Sequence, residues 1–470
     1  MKSGIRLWTA LLLAAGWTAG ANEAGPLTLT NLLQSVDTHY PSVIAAVQEL
    51  EAAKAQAQSA AGAFDLKIKF NSRNDPLGYY ENRILEALLE QPLRFRGTKL
   101  YGGWKRGDGL FPFQEEKRET QSAGEVIFGV STPLLRGAEI DQPRAELRRT
   151  ALAIDFQEAA LTRLRLLTQQ AAVEQFWRWG TAARRQAIYD NLLCLALTRD
   201  AGLRQQIAIG EKAEVDATDN ARLIAKRRES LVAAEQKFQA EAVKLSLYWR
   251  DMTGSPQIPE TPPEQDLIGT SFLRNDIDLT AALAAHPEVT ALQRVLATER
   301  VNQELYRNQM LPQLDLSLSA SKDLGIGSKT KENPEFRIGA AFEFPFQNRK
   351  ARGAMQAASS KLAALDQKLT LLFDQLRARV QIADRNIKHI RERIQRLQER
   401  LDLTIRMRQA ETERVELKLS DLLRLNLREQ DVASAEIDLL DARLELRLAE
   451  LERINALAVD LLSPGADAKP

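Results

Sequence analysis

The charged residues with the most telling spacing lie where two long helical patterns reverse. In the first, Gly210 interrupts the pattern, and Asp216 and Asp219 follow about one turn apart. In the second, Asp421 and Arg424 are three residues apart, so they share a helix face and can form an ion pair. Read repeat against repeat, Asp421 takes the place of Asp216 and Arg424 that of Asp219. Carboxylates and a guanidinium on an exposed turn can attract or repel ions, but they offer no nucleophile and no proton relay. Ile209, Gly210, Ala213 and Val215 border the first turn, and Val415, Leu417, Leu419 and Ser420 border the second. Apolar residues at a solvent-facing turn fit a partner surface. They fit coiled-coil closure almost as well.

No catalytic constellation accompanies them. The chain has no phosphate loop, no nucleophile elbow and no His-Glu-x-x-His motif, so neither an enzyme nor a cofactor is expected. Its one cysteine, Cys194, excludes an internal disulfide framework and a cysteine-cluster metal site. Within Leu192–Leu197 it reads as a small packed hydrophobe. His39, His286 and His389 are too scattered for a His-rich metal site. Lys+Arg number 64 and Asp+Glu 63, a net charge of +1, which makes no electrostatic case for nucleic acid. Most carboxylates fall on helix faces and read as solvated coiled-coil positions.

The elements that carry the two turns come from an internal repeat of about 200 residues. Before it, Lys2 and Arg6 precede an apolar run, Leu7–Trp17, that ends at Ala19-Gly20-Ala21. That pattern reads as a cleaved secretory signal peptide over 1–21. No cysteine follows the cleavage site, so a lipid tether is not expected there. The first repeat spans 22–252, a Pro-rich linker 253–276, the second repeat 277–462 and a short tail 463–470. Each repeat opens with a Pro-started helix, at Pro41 and Pro287, because the missing N–H costs nothing in a first turn.

Each helix runs into a strictly alternating stretch that predicts a half-buried strand, at about 64–72 and 313–320. Second strands follow at about 125–132 and 336–345, ended near Pro133 and Pro345. Long helical hairpins come next, over 139–251 and 350–461. In the second, Leu369, Leu372, Leu376, Val380, Ala383, Ile387, Ile390, Ile394, Leu397, Leu401 and Ile405 form one apolar stripe at coiled-coil spacing. A 60-residue helix is roughly 90 Å long, so the molecule must be elongated. Pro133 to Asp216 is 83 residues and Pro345 to Asp421 is 76, and the difference of seven is one heptad. That reads as a heptad insertion in a duplicated rod. The first repeat also carries an insert, 72–124, with Tyr79, Tyr80, Tyr101, Trp104, Phe111 and Phe113. Its stretches Arg83–Arg94 and Thr98–Arg106 are compatible with further strands, a question the pattern leaves open.

Four short strands leave open edges that must be paired or covered. A sheet of four cannot close into a useful barrel, so closure by several identical chains is expected. No run of 18 apolar residues exists, which excludes a conventional spanning helix but not spanning strands. The strands alternate apolar residues (Phe64, Leu66, Ile68, Phe70; Val126, Phe128, Val130; Ile338, Phe342, Phe344) with polar or small ones. Lipid on one side and water on the other produces that alternation, as does a soluble sheet lying on a core.

The duplicated helix–strand–strand–hairpin plan resembles the TolC-type outer-membrane efflux proteins. So do the Pro-opened helices, Pro133-Leu134-Leu135-Arg136-Gly137, and the tip Gly210-Glu211-Lys212-Ala213-Glu214-Val215-Asp216. The resemblance implies a mainly α fold with a small β part: a homotrimer whose 12-strand β-barrel, four strands per chain, continues as a periplasmic α-helical barrel. It implies an exit duct in the outer-membrane lipid of a Gram-negative bacterium, serving efflux or type I secretion. The implied partners are a periplasmic adaptor protein and an inner-membrane transporter. By the same resemblance, Asp421 forms a ring at the entrance, with Asp216 and Asp219 beside it, and the eight tip residues dock the adaptor. The sequence departs from that pattern at Val415, where a tip glycine is expected, and at Arg424, where a second aspartate is. A ring that mixes Asp and Arg is expected to be less cation-selective. A periplasmic adaptor or a purely structural coiled-coil protein are the competing readings; an adaptor normally has one hairpin, and a coiled coil needs no alternating strands.

Overall fold

A computed structural model describes residues 27–261, 278–328 and 331–462. The expected signal peptide, most of the expected linker and the expected tail lie outside the described residues. Helices α1 (Leu29–His39) and α2 (Pro41–Ala61) lead into a sheet, followed by α3 (Gln142–Ala208) and α4 (Glu214–Ser246). After the linker come α5 (Leu279–Ala284), α6 (Pro287–Gln309), two more strands, α7 (Arg349–Glu416) and α8 (Leu422–Ala456). Pro41 and Pro287 occupy the first turns of α2 and α6.

α3 and α7 have 67 and 68 residues, which makes each about 100 Å long. Every residue of the α7 stripe from Leu369 to Ile405 is buried or half-buried. The inferred heptad insertion is not in the rods, whose lengths differ by one residue. Nine residues separate Pro133 from Gln142 at the start of α3, against four between Pro345 and Arg349 at the start of α7. The remainder of the difference lies in the register of the tips.

A large apolar cluster ties the rods together midway. Phe176, Trp177 and Trp179 of α3 are almost fully buried with Leu32, Leu33 and Val36 of α1, Leu245 of α4 and Leu451 of α8. Tyr40 stacks on Tyr248 with ring centroids 5.6 Å apart. Ser35 accepts the Arg250 N–H at 2.9 Å and pins the chain beyond α4 to α1.

The sheet holds six strands where the sequence reading counted four. The order is β1 (Lys67–Asp75), β2 (Asn82–Pro92), β3 (Lys99–Gly109), β4 (Glu125–Pro133), β5 (Gln313–Asp323) and β6 (Glu335–Glu343), all antiparallel neighbours. The insert 72–124 supplies β2 and β3, so the chain contributes six strands where four were expected. β1 also starts later than expected, because Gly62–Phe64 forms a 3-10 turn that takes Phe64 out of the strand.

The register sorts residues cleanly between the two faces. Ile68, Leu89, Gly102, Phe128, Ala320 and Phe336 lie in one row across all six strands. Lys67, Glu90, Tyr101, Gly129, Ser319 and Arg337 lie in the next row, on the opposite face. The apolar face is bare: Ile68 is 77% exposed, Phe128 65% and Ile338 80%. No described helix covers it, so among the described residues the alternation does not come from a sheet lying on a core. On the polar face Lys105 pairs with Glu125 at 2.7 Å, and Lys69 pairs with Glu90. β1 and β6 end the sheet with unpaired edges.

His286 caps α6, its Nδ1 accepting the Glu288 N–H at 3.2 Å, and is 6% exposed. Burial lowers its pKa below the ordinary histidine value of 6.5, outweighing the opposing pull of Glu288. The unfolded chain therefore binds this proton more readily than the folded one, so the contribution to stability is present above pH 6.5 and lost as pH falls through it. Thermal midpoints followed by helical circular dichroism should fall between pH 7.5 and pH 5.5. His286→Asn, which keeps a capping side chain, should flatten that slope.

Candidate functional site

Both hairpins end in the same turn. The α3 tip closes with Ile209 N–H to Gln205 O (3.2 Å), Gly210 N–H to Ile207 O (2.9 Å) and Glu211 N–H to Gln206 O (2.8 Å). The α7 tip repeats this with Leu417 N–H to Glu413 O (3.0 Å), Lys418 N–H to Val415 O (3.0 Å) and Leu419 N–H to Arg414 O (2.8 Å). These are Schellman-type closures, which need a left-handed residue just after the helix. Gly210 fills that position with φ 78° and Lys418 with φ 57°. The counterpart of Gly210 is therefore Lys418, and Val415 belongs to the last turn of α7.

This match shifts the repeat register by three residues at the tips. Ala213 and Asp421 are the N-caps of α4 and α8, so Asp216 corresponds to Arg424, and Asp421 does not occupy the place of Asp216. The Asp216 carboxylate accepts the Ala213 N–H at 3.3 Å, while Asp421 accepts the Arg424 N–H at 2.8 Å. Both carboxylates satisfy helix N-termini, and favourable charge there adds to the cap. The Arg424 guanidinium lies 3.9 Å from Asp421, and Asp219 lies 3.5 Å from Arg222. Lys418 reaches Glu211 at 3.6 Å and bridges the two tips.

Ile209, Val215, Leu417 and Leu419 are each between 65% and 72% exposed. Gly210 and Ala213 are exposed beside them, Val415 is half-buried, and Ser420 turns inward to donate to Glu411. Leu423 and Leu427 extend the exposed apolar surface along α8. Sequence reasoning missed them because they look like an ordinary coiled-coil seam.

It also missed a buried ionic cluster about two turns above the tips. Glu429 of α8 accepts from Arg227 of α4 at 2.9 Å and from Arg199 of α3, and Arg199 also donates to Asn426. Arg227 is 2% and Glu429 5% exposed at the side chain. Burial pulls the Arg227 pKa below its ordinary value against the attraction of Glu429, and neighbouring Arg199 pulls the same way as burial. Higher up, Arg185 pairs with Asp441 at 2.7 Å. These contacts join the first hairpin to the second. A groove of about 650 Å³ opens beside them between α3, α7 and α8, past Arg408 and Glu436. Cys194 is exposed, not packed as the sequence suggested.

Among the described residues no group of three or more His, Cys, Asp or Glu could hold a metal ion. No described helix is long and apolar enough to cross a membrane. The functional elements are thus two exposed tips, an ionic clamp between hairpins and a two-faced sheet. This arrangement of elements is shared with solved outer-membrane channels. No family model and no curated protein sequence matches the chain. The MtrE outer-membrane channel of Neisseria gonorrhoeae, in its open state, is similar with a TM-score of 0.67 and 14% identity, over 92% of this chain and 88% of that one. The CmeC outer-membrane channel of Campylobacter jejuni is similar with a TM-score of 0.63 and 12% identity, over 97% and 94%. CusC, described for its folding and transmembrane channel formation, has a TM-score of 0.67 and 12% identity over 91% of both chains.

Two substitutions separate these roles. Lys418→Gly should raise stability by about 0.5–1 kcal/mol, since glycine takes the left-handed turn without strain. Glu429→Ala should cost about 3–5 kcal/mol by leaving Arg227 buried without its partner, and replacing Glu429 and Arg227 together by apolar residues should recover much of that. Thermal melting of the variants against the unsubstituted chain checks both.

Proposed function

We propose that this chain is the outer-membrane exit duct of a tripartite efflux or type I secretion assembly, a passive conduit formed by three copies. The observation that carries the reading is the six-stranded sheet. It has a bare apolar face, a polar face rich in ion pairs and two free edges, at the end of helical rods about 100 Å long. Lipid against the apolar face, water against the polar one and the free edge of the next copy against each edge satisfy all three features. Three copies close a barrel of 18 strands, six from each. The fold shared with known outer-membrane channels supports this arrangement.

The rods then reach into the periplasm and present the tips. Ile209, Val215, Leu417 and Leu419, with Gly210, Ala213, Val415 and Ser420 around them, dock a periplasmic adaptor, which links the duct to an inner-membrane transporter. Asp216, Asp219, Asp421 and Arg424 surround the entrance. Because Arg424 stands where the first hairpin has Asp216, and pairs with Asp421, the entrance carries less negative charge than an all-aspartate ring. In this reading, selection of cargo falls to the transporter.

The assembly is tested by fractionation: a heat-modifiable trimer in outer-membrane fractions is expected, and a soluble periplasmic monomer would overturn the reading. In planar bilayers under a salt gradient, Arg424→Asp should raise the cation-to-anion permeability ratio by about twofold or more. An unchanged reversal potential would remove Arg424 from the entrance.

A further inference from the structure

The two extra strands are joined to β4 by a strap, Leu110–Gln121, whose placement is not that of an outward loop. β1, β3 and β5 run away from the helices, so the strap lies at the far end of the sheet, the outer mouth in the reading proposed above. There it bends over the polar face. Gly107 is on that face, in register with Ile84 and two residues from Lys105. A Cβ on Gly107 would come within 2.0 Å of the Arg118 carbonyl oxygen and 3.3 Å of the Phe111 ring, so the strap lies directly on the strand. Ile84, an apolar residue on the polar face, is only 8% exposed beneath it.

Polar contacts hold the strap down on both sides. Glu115 pairs with Arg118 at 3.3 Å and reaches Arg73 of β1, also on the polar face, at 3.7 Å. Thr120 donates its N–H to Gly107 O at 3.0 Å and its hydroxyl accepts the Gly107 N–H at 3.2 Å. The Gln121 N–H donates to Asp323 at 3.0 Å, its side chain donates to Ser328 O at 3.2 Å, and Lys331 donates to Glu119 O at 2.7 Å. The strap is thus clamped between β1 and the turn after β5.

We infer that the strap Leu110–Gln121 folds into the lumen at the outer mouth and sets the width of what can pass there. The inference rests on the proposed channel reading and adds a size-determining element to it. Barrel diameter grows roughly in proportion to strand number, so 18 strands enclose a ring about 1.5 times as wide as 12. Three straps, one from each copy, reduce that wider opening with hydrogen-bonded chain carrying both signs of charge. The strap and the two extra strands belong to one insert, which is consistent with a barrel widened and narrowed by the same segment.

The test uses the full chain in the outer membrane of intact cells, with Cys194→Ser removing the native thiol. Ser317→Cys places a reporter on the polar face near the helical end of the sheet, opposite Ser131 and Gly339. Tyr79→Cys places a control in the β1–β2 turn, where Tyr79 is 97% exposed. Cells are treated from outside with a small maleimide or with a maleimide on a long poly(ethylene glycol) chain. Two variants loosen the strap: replacement of 111–119 by a short Gly-Ser linker, and the single change Glu115→Arg. The small reagent should label Ser317→Cys at similar rates in all backgrounds. The polymer reagent should label it at least about tenfold faster with the Gly-Ser linker, and several-fold faster with Glu115→Arg. Polymer labelling equal to that of the unaltered strap in both variants, with Tyr79→Cys still labelled, would overturn the strap while leaving the channel reading in place. Failure of the small reagent at Ser317→Cys, with the control labelled, would also overturn it. Failure to label Tyr79→Cys until the cells are lysed would instead overturn the channel reading.

Discussion

A backbone N–H or C=O at a sheet edge has no partner in hydrocarbon, and that single constraint organises this molecule. In the proposed duct the bare apolar face of β1–β6 meets lipid, yet the sheet ends at β1 and β6 with both edges open. A sheet in that position is stable only if it closes on itself or on copies of itself. Six strands are too few to enclose a useful lumen, so closure demands other chains. In the duct proposed above, closure by further copies and a polar face turned inward both answer the need to satisfy those edges.

Burial of a different kind governs the rods. Helices of 67 and 68 residues cannot share one globular core, so apolar contact is divided into patches, of which the Trp177–Trp179 cluster is the largest. Nearer the tips the hairpins are joined by charge. For Glu429, between Arg199 and Arg227, Coulomb attraction offsets the desolvation penalty because both carboxylate oxygens are engaged. A buried pair of this kind contributes less to net stability than to holding one arrangement in preference to others. Apolar contact could slide by a turn along such rods, whereas a guanidinium fork on one carboxylate cannot. The clamp therefore fixes how the second hairpin sits on the first, just above the tips.

The parts of this architecture that were legible in the sequence are those written in periodicity. The alternation at Ile68–Phe70 and Ile338–Phe342, the stripe from Leu369 to Ile405, and Pro41 and Pro287 at helix starts each depend on residues only a few positions away. The strand count and the ionic clamp escaped the sequence because each required knowing which distant segment lies alongside. Glycine at 102, 103, 107 and 109 weakened the strand signal of β3; the Phe128 ring fills the space beside Gly102 and the strap the space beside Gly107. Leu192–Leu197 suggested burial for Cys194, but the helix phase turns that thiol to solvent.

The tips show the same division at the scale of single residues. A glycine followed by acidic residues was enough to find the first turn, and comparison of the repeats was enough to find the second. The pairing of Asp216 with Asp421 was nevertheless off by three, because Lys418 adopts the left-handed conformation that sequence logic reserves for glycine. Sequence alone determined the duplication, the two-faced strands and the amphipathic rods, since local spacing encodes which face of each element is apolar. Tertiary structure decided the number of strands, the partners of the buried charges and the fold of the strap over the polar face. Those depend on contacts between segments as far as 200 residues or more apart, such as Glu119 with Lys331 and Arg199 with Glu429.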